Sequence, residues 1–405
     1  MDHYDIVIFE AEIVGLSVAY GLQNLGLRML IIEPALPKTC VDTEIISPNA
    51  KRFSVLNQAS KLLFQHFGIW SNILNTNTST FYRMEMWERD SFGRITFDEA
   101  SRKNPAHSLG YIIENQKVHN LLWKHVRNLH DITIITSENV TEVSFKNEKA
   151  LISFKNNTMI STNLIIAADR AHLSLCQHVK IPLLSWHYKH HVLISNIRTE
   201  MPHKKTAYQI FHDNSILVFL PLRNPHLGAI IWSLLPKKAK YLADTSEILF
   251  NQHLSVNFDV KLGLCNAEGI RQVLPLQGCY THKFIFDRLV LVGNSTHTIH
   301  PLSDQGLNLG LMDAAELIGE IRCLCHQGKD IGQYQHLRRY ERRRKHSTFQ
   351  TLLSTEGCYR IFIGEHLGKK FLRDSLLTVI NKLPGMKAHL LENAQGMKNI
   401  PNWLR

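Results

Sequence analysis

The sequence predicts an α/β protein with a mainly β insertion and a helical tail, and three observations predict it. Residues 5–9, 14–25 and 27–32 read as strand, helix and strand, closing on Glu33 where an acid would meet a ribose hydroxyl pair. Residues 289–292 read as a short buried strand ending at Gly293, and from Leu307 apolar residues recur at 307, 311, 314, 318 and 321, one helical face. Between these units, residues 181–281 run as strands separated by charged turns, and residues 330–405 are largely helical. The ends of the chain's first three quarters therefore frame a Rossmann-like unit, with the β region inserted into it.

Each element follows in order. In the Gly-x-Gly-x-x-Gly turn of a dinucleotide fold the glycines would stand at 10, 12 and 15, whereas this chain has Glu10, Glu12 and Gly15. At ~5 Å and an effective dielectric of about 20, each carboxylate facing a phosphate charge costs on the order of 3 kcal/mol, so weakened affinity for a dinucleotide is expected. Residues 51–60 read as a helix entry carrying Arg52. Residues 84–97 alternate polar and apolar, and residues 109–115 open a helical run through Trp123. A meander covers 140–168, with turns at 146–149 and 156–157, and ends in Ala168-Asp169-Arg170. His187, His190 and His191 cluster before the inserted strands, where core or surface roles outweigh a catalytic one.

Composition narrows the class. A chain of 405 residues with 44% hydrophobic content can bury a full core. It has no run of eighteen apolar residues, and the first residues pass directly into a strand, so the expected address is the cytoplasm. Seven scattered cysteines fit reduced thiols; Cys323-Leu-Cys325-His326 lacks a second ligand pair and reads as packing, so no metal is expected. The net charge of +11 is densest at Arg338-Arg339 and Arg342-Arg343-Arg344-Lys345. Without an interleaved aromatic platform this cluster argues against nucleic acid and leaves a solvated helix face or a membrane-surface role. Leu372, Leu376, Leu377 and Ile380 form a stripe flanked by Lys369, Lys370 and Lys382. Core packing is its commoner meaning, and docking on a membrane or partner protein the sharper one.

The run Gly293-Asn294-Ser295-Thr296-His297, followed by His300-Pro301-Leu302-Ser303-Asp304-Gln305-Gly306-Leu307-Asn308-Leu309-Gly310, resembles the second flavin-contacting motif of aromatic-ring monooxygenases of the para-hydroxybenzoate hydroxylase type. Asn294 stands where that family has Asp, and Ser303-Asp304 where it has Ala-Gly. Its Gly-Ala-Asp-Gly motif is matched by Asp169, with Ala167 and Arg170 in place of glycines. Through Met86-Trp-Glu-Arg-Asp-Ser-Phe-Gly93, Met312-Asp-Ala-Ala-Glu-Leu317 and Leu337-Arg-Arg-Tyr-Glu-Arg342 the whole chain is similar to the flavoprotein hydroxylases of ubiquinone biosynthesis.

That resemblance implies an enzyme that uses FAD, NAD(P)H and O2 to hydroxylate the ring of a polyprenylphenol, weakened by the lost glycines. It implies FAD contacts at Gly15 (pyrophosphate), Glu33 (ribose), Arg52 (phosphate), Asp169 (flavin and nicotinamide) and Asn294 (ribityl chain). Pro301, Gln305, Gly306, Leu307 and Asn308 would offer backbone N–H groups to the flavin's pyrimidine edge. It assigns no catalytic residue. Its implied layout is a discontinuous FAD-binding domain (1–75, 100–178, 282–335), a substrate-binding β-sheet domain (76–99, 179–281) and a helical C-terminal region (336–405). Partners would be the lipid substrate, other ubiquinone-biosynthesis proteins, a second copy of the chain and the inner face of a membrane. A flavin-free scaffold in a ubiquinone-biosynthesis complex is the alternative.

Overall fold

The computed structural model describes residues 1–33, 52–89, 91–99, 108–136, 140–146, 148–168, 181–212, 214–298, 305–362 and 367–405. Its first sheet is built on the strand Asp2–Phe9, which pairs in parallel with Met29–Glu33 on one side and Met159–Ala167 on the other. Ile132–Thr136 extends the sheet beyond Met29–Glu33, and Leu289–Leu291 extends it beyond Met159–Ala167, both in parallel. Alternation along the first strand explains its double burial: Ile6 and Ile8 enter one apolar core, Val7 and Phe9 the other. The meander strands Val140–Lys146 and Lys149–Phe154 send Val143, Ala150 and Ile152 into the second core.

Three helices lie against this sheet: Ile13–Gly21, Asn115–Arg127 and Gln305–His326. The first leaves the carboxyl end of Asp2–Phe9 and the second leads back to Ile132–Thr136, so both run antiparallel to the strands. Their N-termini therefore sit at the carboxyl edge of the sheet, the edge at which open α/β sheets bind ligands. The third joins them there through contacts too close for a side chain. A Cβ at Gly310 would lie 2.9 Å from Val14 and 3.1 Å from the Gly293 backbone.

The second sheet has the order His297–Thr298, Cys265–Thr281, Leu183–Thr199, Leu227–Leu234, Ser215–Pro221, Thr206–His212, Arg83–Glu88 and Arg94–Asp98. Thus the segment after residue 80 and the long later segment share one sheet. One face packs under Pro236–Asp244 and Glu247–Asn257 around Trp232, Phe250 and Phe258. The other face meets Phe53, Phe81 and Ile112 of a small third sheet (Phe53–Leu56, Gly110–Glu114, Ser79–Phe81) and Leu377 of the tail.

Several elements depart from the sequence reading. Residues 110–114 form a strand instead of a helix, because Gly-Tyr-Ile-Ile-Glu is wholly buried between two partner strands and helix begins only at Asn115. Arg52 precedes the strand Phe53–Leu56; the helix entry lies further on, at Asn57, whose side chain caps Ser60. The first helix stops at Gly21, four residues early, and two helices interrupt the inserted strands.

The tail also sorts itself. Leu377 is buried and Ile380 packs beside it, while the side chains of Leu372 and Leu376 lie outside the description. The arginine cluster divides: Arg344 is buried, whereas Arg338, Arg339, Arg342 and Arg343 remain exposed at the surface. Arg343 reaches Glu316 at 2.6 Å, Arg344 reaches Asp313 at 2.5 Å, and Arg339 approaches Glu320 at 3.9 Å. Cys325 packs beside the first core. Truncating Leu377 to Ala is expected to cost roughly 2–5 kcal/mol, read as a lowered urea midpoint, if its helix closes the apolar layer as described.

Candidate cofactor site

The first turn, the second strand and the long helix Gln305–His326 converge at the carboxyl edge. Glu10 adopts φ 55°, the left-handed region that the motif's first glycine would occupy without strain. Its N–H donates to the Ile32 carbonyl at 3.0 Å, and its own carbonyl accepts from Glu12 N–H at 3.1 Å. The turn therefore keeps the backbone path of a dinucleotide loop after losing two of its glycines. Gly15, the third, remains because the helix passes so close to the sheet: a Cβ there would stand 2.9 Å from that of Ala168. Packing is what Gly15 does here, consistent with the third glycine's role in helix–strand contact.

Glu33 sits where the sequence places it, at the end of the second strand, but its carboxylate turns to the loop. Its Oε1 accepts the Ala11 N–H at 2.6 Å. Burial pushes its pKa up to about 7; that hydrogen bond pulls it down, and the charges of Glu10 and Glu12 push it up again. Desolvation and repulsion win over one hydrogen bond. Arg52 is exposed, and its carbonyl accepts the Asn115 N–H at 3.0 Å, so it stands beside the N-terminus of Asn115–Arg127. Asn115, which the sequence reading passed over as part of a helical run, has a buried Oδ1 without a hydrogen-bond partner among the described residues. The usable signal was the strand-to-helix switch at that residue.

At the other end, Asn294 is exposed on a single helical turn, Gly293–Ser295, directly after the strand Leu289–Leu291. Gln305, Gly306 and Leu307 open the long helix, whose first N–H groups lack carbonyl partners within the helix. Among the described residues no atom lies within 4 Å of where a Gly306 Cβ would be. The Asn308 side chain ties the helix to its neighbours. Its Oδ1 accepts from Asn57 N–H at 2.9 Å and Ser60 Oγ at 2.7 Å, and its Nδ2 donates to the Val55 carbonyl at 2.6 Å. Asp169, Arg170, Pro301 and Asp304 lie outside the described residues.

The turn is held by a residue the sequence reading did not single out. Asp313, fully buried, accepts Gly293 N–H at 3.1 Å and contacts His297 Nε2 at 3.0 Å through one oxygen; the other accepts Arg344 Nε at 2.5 Å. Burial pushes the Asp313 carboxyl up, but Arg344 and His297 together outweigh it and hold it below the ordinary range. An acid set between Leu311-Met312 and Ala314-Ala315 was the available signal. His190, by contrast, is structural. Its Nδ1 lies 2.8 Å from Tyr359 Oη, and its Nε2 lies 3.2 Å from the Asn214 carbonyl. Among the described residues no group of His, Cys, Asp and Glu is arranged to hold a metal.

Three helix N-termini at one sheet edge and a strand-end acid define a dinucleotide-binding flavoprotein site. The chain belongs to the family described as FAD binding domain, whose model matches residues 3–353. It is 26% identical to 3-demethoxyubiquinol 3-hydroxylase of Escherichia coli, over 97% of this chain and 98% of that one. It is 23% identical to the human (Homo sapiens) ubiquinone biosynthesis monooxygenase COQ6, over 96% of this chain and 92% of that one. Its fold is similar to the crystal structure of p-nitrophenol 4-monooxygenase from Pseudomonas putida, with a TM-score of 0.75, 15% identity, and coverage of 97% and 98%. The fold is thus that of the FAD-dependent monooxygenases.

The residues present fit FAD at the Gln305 helix and along the sheet edge, and they crowd the pyrophosphate end with carboxylates. Replacing Glu10 with Gly is expected to relieve roughly 1–2 kcal/mol of backbone strain and remove one charge, so FAD titration should show at least tenfold tighter binding. Unchanged affinity would remove the charge argument. Glu33 carries a pH signature as well. Its folded pKa of about 7 exceeds the ordinary 4.5, so its contribution to stability is fully present below the lower value and is lost as pH rises through the higher one. Between those values wild-type protein is expected to lose on the order of 3 kcal/mol relative to Glu33→Gln, measured by urea unfolding at both pH values. Parallel pH profiles for the two proteins would contradict the assignment.

Proposed function

We propose that this protein hydroxylates the ring of a polyprenylphenol in ubiquinone biosynthesis, using FAD, NAD(P)H and O2. The observation that carries this reading is the similarity, running over nearly the whole chain, to proteins named as ubiquinone-pathway hydroxylases. FAD, when bound, supplies the two-electron chemistry: NAD(P)H is oxidised, one oxygen atom enters the ring and the other leaves as water.

This chain's own residues hold and shield. Gly15 and the helix behind it seat the pyrophosphate, Arg52 offers a cation to phosphate, and Asn294 meets the ribityl chain. Glu33, whose raised pKa of about 7 populates both forms near neutral pH, can donate to or accept from a ribose hydroxyl while still accepting from Ala11. Backbone N–H groups at Gln305, Gly306 and Leu307 oppose negative charge at the flavin's pyrimidine edge. The apolar layer of Phe53, Phe81, Phe211, Ile216 and Leu377 excludes water from the side where a lipid-borne ring would enter. A flavin-free scaffold is the second reading, favoured by one feature, the three carboxylates gathered at the first turn.

Protein purified with added FAD should be yellow and should convert a short-chain polyprenylphenol, with one atom of labelled O2 in the product ring and NAD(P)H consumed in step. Protein that takes up no FAD even near pH 5, with Glu10 and Glu12 both changed to Gly, would sink the hydroxylase reading in favour of the scaffold.

A further inference from the structure

The tail carries the greatest imbalance of charge in the chain. Residues 334–405 hold fourteen Lys and Arg against five Asp and Glu, a surplus of nine out of the chain's net eleven. Some of these cations are spent internally, as Arg344 on Asp313 and Arg373 on Glu88 show. Arg342 and Lys382 stay exposed at the surface.

Apolar residues share that surface. Phe349 and Leu353, one turn apart on Tyr334–Phe362, are 52% and 54% exposed. Val379 near the end of Leu367–Lys382, Leu383 at the junction, and Met386 and Leu390 on the next helix, Pro384–Gln395, follow at spacings of four, three and four, each between 41% and 47% exposed. Single exposed apolar residues need no explanation, but a periodic row beside a concentrated positive charge does. The helix Leu367–Lys382, on which Val379 and Lys382 are exposed, closes the apolar layer on the inner face of the second sheet through Leu377 and Ile380. The tail's helices therefore pack Leu377 and Ile380 against that apolar layer while leaving Val379, Met386, Leu390, Arg342 and Lys382 exposed.

We propose that this outer surface of the tail rests on an anionic lipid bilayer, its apolar row entering the headgroup boundary and its cations facing lipid phosphates. The contact itself is argued from charge and exposed apolar surface; only its purpose, bringing a membrane-borne polyprenylphenol to the apolar layer, rests on the proposed function.

Sedimentation of the full chain with vesicles tests it. The protein is expected to pellet with phosphatidylcholine vesicles containing phosphatidylglycerol, to stay in solution with phosphatidylcholine alone, and to be released by high salt. Leu383→Asp with Leu390→Asp should weaken vesicle binding about tenfold or more, and Arg342→Glu and Lys382→Glu about fivefold each, with unfolding midpoints unchanged. Amide exchange in the unaltered protein should slow over residues 379–397 when anionic vesicles are added, which needs no variant to fold. Equal binding to both vesicle types, unaltered binding by the variants, or protection confined to another region would overturn the proposal. Self-association through these residues without vesicle binding would reassign the face to a second copy of the chain and overturn it too. The vesicles contain no phenol, so a failed hydroxylase assay leaves this result standing. Turnover of a short-chain phenol by Lys382→Glu at the wild-type rate would separate docking from chemistry.

Discussion

A buried carboxylate binds the architecture together. Asp313 stands fully inside the protein, where an unpaired charge would cost several kcal/mol, and it is tolerated only because Arg344, His297 and the Gly293 N–H all converge on it. Those partners come from three places: the tail, the strand edge of the second sheet and the turn that presents Asn294. Removing any one of them would leave charge unbalanced in a medium that punishes it. The cofactor-side turn is therefore only as well placed as the tail helix is docked. Tyr340 adds a second tie from the same helix, donating to the Leu291 carbonyl at 2.8 Å.

The sheet edge shows two electrostatic tendencies in opposition. Helix N-termini gathered there each present about half a positive charge, which suits a diphosphate. Glu10, Glu12 and Glu33 stand among them, and Glu33 responds by holding its proton more tightly. The backbone has not yielded to these substitutions. Glu10 keeps the left-handed conformation of a glycine, because the hydrogen bonds from the first turn to Ile32 and within the loop demand that path. What the substitutions alter is charge, and hence affinity and its dependence on pH.

Much of the fold was legible in advance. Alternating burial in the strand at residues 5–9, the apolar spacing from 307 to 321 and the turns of the meander each bear a local period that survives folding. Residues 109–115 misled because five buried residues have no period of their own; two flanking strands made them a strand. At the site, Glu33 and Gly15 were legible because their positions follow from a strand-helix-strand count. The Asn308 side chain, to which the sequence assigned nothing, ties Asn57, Ser60 and Val55 together, a matter of which way one amide points.

By itself, the sequence determined the α/β class, the order of strand and helix around residues 5–33 and 289–326, and the two acids in the first turn, since these depend on neighbours along the chain. Only the tertiary structure decided that Arg344 and Arg373 of the tail turn inward, that Asp313 is the junction between turn, helix and tail, and that the Glu33 carboxylate accepts the Ala11 N–H. Those outcomes depend on which charges end up out of water beside one another. Desolvation and pairing are properties of proximity in space, and no spacing in sequence encodes them.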